Sequence, residues 1–322
     1  MVPRSRASHT RRTGAVIAVA LSLLAVGVAG ARESWESIGR GRITVLFREP
    51  DAAAAARFLD LAEAGLPLAE SEMGRAGGEP LTIVVAATEA DWSEATGGAV
   101  PDWGVGAALP ERSLVVLKSP RIVAYPLEME TVVVHEIAHI AAGRVLEGRE
   151  VPRWFDEGVA MAVAGQWGAS YSATLAGAAV TRSEHTLAEL AAPFPESARE
   201  TALAYAESFQ PVRYLMEESG LARPGDLVRA VASYGSFDEA ILALTGRTAS
   251  RFDLDFRSFV RRRFGWGAAL TGTGIAFLGA TCVFLVAAAA RAARARRRLR
   301  ELGDEEAAST MRVRRRGGSS WQ

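Results

Sequence analysis

Two histidines and a glutamate lie close together in one apolar segment of the 322-residue chain. His135, Glu136 and His139 form an H-E-x-x-H motif within Thr131–Ile140. On an α-helix, residues four apart are separated by about 40° around the axis and one turn along it, so both imidazoles face the same point. Two neutral imidazoles there can bind Zn²⁺, and Glu136 places a carboxylate beside the metal. The chain has only four histidines, which makes a chance match to this motif rare.

A third ligand is predicted on a second helix, which starts near Pro152 because proline suits the first helical turn. This helix carries Glu157, with seventeen residues between it and His139. Two imidazoles and a carboxylate, with a fourth position for water, are typical of catalytic zinc sites; a closed structural site would prefer a ligand such as cysteine. Asp156 is the rival ligand. Adjacent helical side chains point about 100° apart, so only one of the two can face the metal, and we predict Glu157.

The two motifs together resemble a known group of enzymes. H-E-I-A-H followed by P-R-W-F-D-E-G-V-A is similar to the gluzincin metallopeptidases, and specifically to the bacterial peptidase-MA-like domain family, over residues 40–263. The resemblance implies that His135, His139 and Glu157 ligate Zn²⁺. It also implies that Glu136 is the general base, which takes a proton from the zinc-bound water and delivers it to the leaving amine.

Peptide hydrolysis also needs a donor for the oxyanion of the tetrahedral intermediate. On the resemblance, Tyr205 is the candidate, in the segment Ala204–Phe209 that follows the site. A packed or surface tyrosine is the alternative interpretation of this residue. His185 is the other candidate donor, and its alternative interpretation is a solvent-exposed loop histidine.

Two features depart from the family pattern. One turn after Glu157, where relatives often carry an acidic or polar residue that orients a ligating histidine, this chain has Met161. We therefore expect another acceptor to take that role, or the metal affinity or activity to be reduced. The interval from His139 to Glu157 is also slightly shorter than in most gluzincins, which predicts a tight connection through Gly143 and Gly148.

The elements that must position these residues follow from hydrophobic periodicity and from glycine and proline breaks. The order of strands before helices predicts an α+β fold, in which a small N-terminal β-sheet lobe packs on a mainly helical, zincin-like lobe. We interpret residues 32–264 as one folding unit. Strands are predicted at 43–47, 81–86 and 113–118, helices at 51–73 and 89–95, a loop at 97–104, and largely helical structure from 128 to 263.

Composition excludes several classes of protein. With 49% hydrophobic and 23% charged residues, the chain is not intrinsically disordered. Its 37 basic and 37 acidic residues balance, but the last 32 residues are rich in arginine, so the rest is net acidic. A nucleic-acid binder normally carries its basic surface on the folded domain, and we expect no nucleic-acid partner. A single cysteine, Cys282, excludes an intramolecular disulfide.

Two apolar segments predict the membrane topology. Residues 1–31 combine a basic start, an apolar run and an A-x-A site, which indicates a cleaved signal peptide, with an uncleaved signal anchor as the alternative. Residues 265–290 carry no charge and are long enough to cross about 30 Å of hydrocarbon, so we predict a transmembrane helix in the lipid bilayer, with a buried core helix as the alternative. Residues 291–322 would form a basic cytoplasmic tail near anionic lipids. The 32–264 domain would then be extracytoplasmic or periplasmic, on a single-pass protein of the cytoplasmic (inner) membrane.

These predictions combine into one functional hypothesis and two alternatives. The first is a membrane-anchored zinc metallopeptidase that hydrolyses a peptide or protein substrate outside the cytoplasm, using zinc-bound water activated by Glu136. The second is a catalytically weak or inactive zinc-binding or scaffolding membrane module of the same fold. The third is a structural single-pass protein without metal. The natural substrate, endo- or exopeptidase action and the oligomeric state stay open.

Overall fold

The structure is a computed structural model, and it describes most of the predicted domain. The described residues are 34–74, 77–98, 100, 104–125, 128–192, 198–264, 280–286, 291 and 294. They cluster into two compact units, one within Met1–Tyr171 and Glu184–Arg257, the other within Ser172–Ser183 and Ser258–Gln322. The candidate site described below lies in the first unit.

The described strands are β1 (Trp35–Arg40), β2 (Ile43–Arg48), β3 (Leu81–Ala86), β4 (Gly106–Leu109) and β5 (Leu114–Lys118). They form one mixed sheet in the order β1-β2-β3-β5-β4. Strands β2, β3 and β5 are parallel, whereas β1 and β4 are antiparallel to their neighbours and form the two edges. Every residue of β3 except one is buried, as expected for a continuous apolar run in the middle of a parallel sheet.

Helices make up most of the rest of the described chain, so the predicted α+β class is confirmed at this level. Helix α2 (Glu89–Thr96) begins where the Thr88 side chain accepts a hydrogen bond from the Asp91 amide, and ends at the left-handed Gly97. The described helices are α1 (Ala52–Glu72), α2 (Glu89–Thr96), α3 (Met129–Leu146), α4 (Arg153–Val163), α5 (Ala169–Thr181), α6 (Ala198–Ser219), α7 (Pro224–Ala232), α8 (Phe237–Thr245) and α9 (Ala249–Phe264).

The three predicted strands and the first two predicted helices are confirmed to within a residue or so at each end. The edge strands β1 and β4 were not predicted. The residues of β4, Gly-Ala-Ala-Leu, have little intrinsic preference for extended structure, and this segment becomes a strand by pairing with β5. An edge strand of this kind is a tertiary feature, because its partner supplies the hydrogen bonds that define it.

Helix α3, which carries the H-E-x-x-H motif, is a core helix. All residues from 132 to 142 are buried, as is typical of a helix that is surrounded by other elements. Gly143 belongs to this helix, and a Cβ added to it would lie 2.4 Å from Pro110 Cβ. The prediction that Gly143 lies in the connection to Glu157 is therefore wrong, because this glycine makes room for helix packing. Gly148 does lie in that connection, with a positive φ of 80°.

The predicted membrane segments fall mostly outside the described residues. The predicted signal peptide, most of residues 265–290 and nearly all of the basic tail are among them. In the part of the chain that is described, none of the helices combines the length and the apolar character needed to cross a bilayer.

Candidate metal centre

The two motif histidines point the same ring nitrogen at each other. Nε2 of His139 lies 3.1 Å from Nε2 of His135, and the two rings meet edge to face with centroids 4.8 Å apart. Both residues are at least nine-tenths buried. This arrangement follows from the four-residue spacing on α3, which stacks the side chains one turn apart.

Glu157 reaches both imidazoles from α4. Its Oε2 lies 3.3 Å from His135 Nε2 and 3.7 Å from His139 Nε2, and the three potential ligand atoms all lie within 4.8 Å of one another. A tetrahedral ion with bonds of about 2.0–2.1 Å separates its ligands by about 3.3–3.4 Å, close to these distances. Oε2 is buried and has no aligned hydrogen bond in the described part of the chain. The three residues therefore fit a metal ion.

Close packing of α4 against α6 helps to place this cluster. A Cβ added to Gly158 would lie 2.2 Å from the Ser208 carbonyl oxygen, so only glycine allows the two helices to approach this closely. The glycine of the E-G-V-A segment therefore has a structural role next to Glu157. It lets α6, which carries Tyr205, come up to the ligand helix.

The outer nitrogens of the two histidines have different partners. His139 Nδ1 lies 3.0 Å from Oδ2 of Asp156, so Asp156 faces the side of this ring away from the cluster and is not in the position of a ligand. His135 Nδ1 lies 3.1 Å from Oε1 of Gln166. Met161, the departure from the family pattern, is completely buried in the core. Gln166 was not predicted, and the only signal near it is the glycine before it, which marks a helix end.

The carboxylates and imidazoles of the cluster shift one another's pKa values. For Glu157, burial opposes ionisation, but interactions with His135 and His139 outweigh it and hold the pKa of the carboxyl well below its usual range. For His139, burial opposes protonation, but Asp156 and Glu157 outweigh it and raise the pKa of the imidazole. Ionised carboxylates around imidazoles create a negative environment that a divalent cation can neutralise.

Glu136 differs from Glu157 because burial dominates its surroundings. Desolvation raises the pKa of Glu136, and the nearby His135 and His139 only partly offset this effect. Its carboxylate faces the edge strand β4, where a Cβ added to Gly106 would lie 2.5 Å from Oε1. Glycine at this position therefore leaves the space that the carboxylate occupies.

The structure brings only one of the two predicted oxyanion donors to the cluster. The Tyr205 ring lies edge to face with the His135 ring, with centroids 6.4 Å apart. The charge of Glu157 and then burial raise the pKa of Tyr205 well above its ordinary value, so the hydroxyl keeps its proton. His185 instead pairs with Glu207, its Nδ1 2.6 Å from Oε2. Glu207 is two residues from Tyr205 on α6, about 200° around the axis, and so lies on the opposite face.

The fold and the site together define a metallopeptidase-like domain: an H-E-x-x-H helix against a mixed sheet, with a glutamate from the next helix. A family model described as the peptidase MA superfamily matches residues 62–262, more than half of the chain, and the chain belongs to that superfamily. The family resemblance in the sequence motifs is thereby confirmed. The comparison with curated proteins found no match.

Proposed function

We propose that the chain is a membrane-anchored zinc metallopeptidase that hydrolyses peptide bonds outside the cytoplasm. The observation that carries the proposal is the buried carboxylate of Glu136 beside the convergent His135, His139 and Glu157, in a domain of the peptidase MA superfamily. Two imidazoles and one carboxylate are a donor set typical of catalytic Zn²⁺, and these three side chains would hold it.

The proposed mechanism assigns one step to each group. A bound Zn²⁺ supplies a Lewis acid that lowers the pKa of water and polarises a carbonyl group. Glu136 accepts the proton of the attacking water and transfers it to the leaving amine, and its raised pKa suits a group that must both take and release a proton. The Tyr205 hydroxyl donates a hydrogen bond to the oxyanion, and its raised pKa keeps that proton available.

The substrate would bind along the edge strand β4. Among the described residues this strand pairs only with β5, so its other edge could pair with an extended peptide. Gly106 in this strand lies against the Glu136 carboxylate, so a peptide bound there would pass close to the general base. Main-chain pairing would supply affinity that depends little on the side chains of the substrate.

The sequence supports the membrane part of the proposal. The basic and apolar residues 1–31 support export, and the uncharged residues 265–290 support a bilayer anchor. Protease added to spheroplasts, in which the outer face of the cytoplasmic membrane is accessible, should digest the domain while the basic tail remains protected, and reversed protection would contradict the proposed orientation. The domain should also stay with the membrane fraction after a high-salt wash.

The central test replaces Glu136 by glutamine in the full-length chain. The Glu136→Gln variant should keep about one zinc per chain, while hydrolysis of a peptide library falls by about 10²–10⁴-fold because the general base is lost. The matched control is Glu130→Gln, an exposed glutamate in the first turn of the same helix, which should leave hydrolysis unchanged. Unchanged hydrolysis in Glu136→Gln would refute the mechanism. A wild type that binds zinc but cleaves nothing would favour the inactive zinc-binding module.

A further inference from the structure

Gln166 contacts the metal cluster from outside the family motifs. Its side-chain oxygen lies 3.1 Å from Nδ1 of His135, the ring nitrogen that faces away from His139 and Glu157. We propose that Gln166 is the positioning residue of His135. It supplies the hydrogen-bond acceptor that orients this imidazole, which the Met161 side chain is not suited to provide. This inference rests on the proposed metal site.

The backbone places Gln166 for this contact through the way α4 ends. The amide of Ala164 donates to the carbonyl of Ala160, and the amide of Gln166 donates to the carbonyl of Met161 at 3.0 Å. Gly165, between them, has a positive φ of 63°. This is a Schellman motif, in which a left-handed glycine lets the next residue fold back over the last turn of the helix. The side chain of Gln166 is thereby directed across to α3.

The residue after Gln166 holds the segment from the other side. The Trp167 ring stacks on Phe209 of α6, with centroids 4.7 Å apart and planes at 12°. Phe209 lies one turn beyond Tyr205 on α6, and the Tyr205 ring contacts the His135 ring. Gln166 therefore lies between the Schellman motif at the end of α4 and the Trp167–Phe209 stack. Because both flanking segments are held in place, the Gln166 side chain stays in contact with His135.

The chemistry of the contact determines which nitrogen His135 presents to the metal. An amide oxygen only accepts hydrogen bonds, so of the two neutral tautomers of His135 it favours the one that carries its proton on Nδ1. The lone pair is then on Nε2, the atom that faces His139 and Glu157. The fully buried Met161 has only a thioether, which is a weak acceptor. His139 has a carboxylate partner, Asp156, so the two histidines have partners of different charge.

Two substitutions of Gln166 in the full-length chain separate the acceptor from the shape of the side chain. Gln166→Met keeps the length and removes the acceptor, while Gln166→Glu keeps an acceptor oxygen. By competition with a chelator, zinc affinity should fall about 10–100-fold in Gln166→Met and be retained in Gln166→Glu. The control is Gln210→Met, the same change at a buried glutamine of α6, which should leave zinc affinity unchanged.

A second measurement reports the position of the proton directly. In ¹⁵N NMR spectra of the zinc-loaded wild type, His135 should show a protonated Nδ1 and a ligating Nε2. The Nδ1 proton should exchange with water faster in Gln166→Met than in the wild type, which a merely structural role of Gln166 would not predict. Zinc ligation through Nδ1 of His135 in the wild type would overturn the inference. This measurement needs only the wild type, so it decides the question even if Gln166→Met does not fold.

The outcomes distinguish this inference from the proposed function. Equal zinc affinity in folded Gln166→Met and wild type would overturn the inference, whatever the hydrolytic activity. The expected order of zinc affinities in a protein that cleaves no peptide would support the inference and refute the peptidase. A wild type without zinc affinity would overturn both.

Discussion

Two buried glutamates, on two helices that both pack against α3, show how differently the same side chain is used. Glu70 of α1 and Glu157 of α4 are 6% and 7% exposed. Glu70 accepts hydrogen bonds from Arg42 at 2.6 Å and from Arg144 at 3.2 Å, and its second oxygen also pairs with Arg42. Each of its oxygens is therefore paired with a permanently charged guanidinium.

Glu157 has almost the same burial, and its Oε1 accepts a hydrogen bond from Arg153 at 3.4 Å, but its second oxygen has different partners. Its Oε2 faces two imidazole nitrogens without an aligned hydrogen bond, in the part of the chain that is described. An imidazole is not permanently charged, and its nitrogen lone pair can bind a cation. The contrast teaches that burial alone does not identify a metal site. A glutamate whose two oxygens both pair with guanidinium groups stabilises the fold, whereas one with an oxygen that converges with two imidazoles is arranged for a cation.

The largest effect is expected on stability at Glu70. Glu70→Ala should lower the free energy of unfolding by about 3–5 kcal/mol, because it removes the buried carboxylate that pairs with the guanidinium groups of both Arg42 and Arg144. Chemical denaturation measures this change. The control is Glu79→Ala, which removes a half-exposed partner of Arg144 and should cost about 1 kcal/mol or less. Equal costs for the two variants would contradict a structural role of Glu70.

The next effect is on metal affinity at Glu157. Glu157→Ala should lower zinc affinity by more than about 100-fold, because even partners that only orient ligands account for about 10–100-fold. Asp156→Ala, which removes the partner of His139 Nδ1, should cause a smaller loss. Chelator competition measures both, and Glu70→Ala provides a buried-glutamate control with unchanged zinc affinity. A larger loss of zinc affinity in Asp156→Ala than in Glu157→Ala would indicate that Asp156 is the metal ligand and Glu157 the residue that orients a histidine.

A third buried glutamate, Glu207, extends the comparison to a site with one imidazole. It is 2% exposed and accepts hydrogen bonds from the amide and Nδ1 of His185. Burial raises the pKa of Glu207 from 4.5 to about 7, with His185 opposing the shift and the charge of Glu184 adding to it. Between pH 4.5 and about 7, the Glu207 carboxyl is therefore protonated in the folded state and ionised in the unfolded state.

The smallest predicted effect is therefore a pH dependence. The free energy of unfolding should fall as pH rises from 4.5 to about 7, and Glu207→Gln should remove a part of that fall on the order of 2 kcal/mol. Chemical denaturation of both proteins between pH 4 and pH 8, values chosen to bracket about 4.5–7, measures the difference. Parallel curves for the two proteins would show that Glu207 does not titrate in this range.

Local patterns predicted much of the fold correctly. The apolar run at 81–86 predicts a buried strand because each side chain in the middle of a parallel sheet is covered, and β3 lies there. The edge strand β4 has no such pattern, because glycine and alanine favour no extended structure by themselves. Its strand structure comes from β5, and its glycine at position 106 faces Glu136 only in the folded molecule.

The candidate site shows the same division between local and tertiary information. The four-residue spacing already places His135 and His139 on one face of a helix, because helical geometry is local. The sequence motifs also predicted the convergence of Glu157, and the structure has its carboxylate within 3.3 Å of His135. Gln166 belongs to no motif, and its contact with His135 joins residues 31 positions apart.

The sequence by itself determined which side chains can do chemistry, and in which direction side chains on the same helix point relative to one another. Residue type and helical backbone geometry are local properties, which is why the sequence suffices for both. The tertiary structure decided which partners these side chains have. It placed Asp156 beside His139, Gln166 beside His135 and His185 on the far face of α6 from Tyr205. These contacts depend on how separate helices pack, as α4 and α6 do at Gly158, and no spacing along the chain encodes that packing.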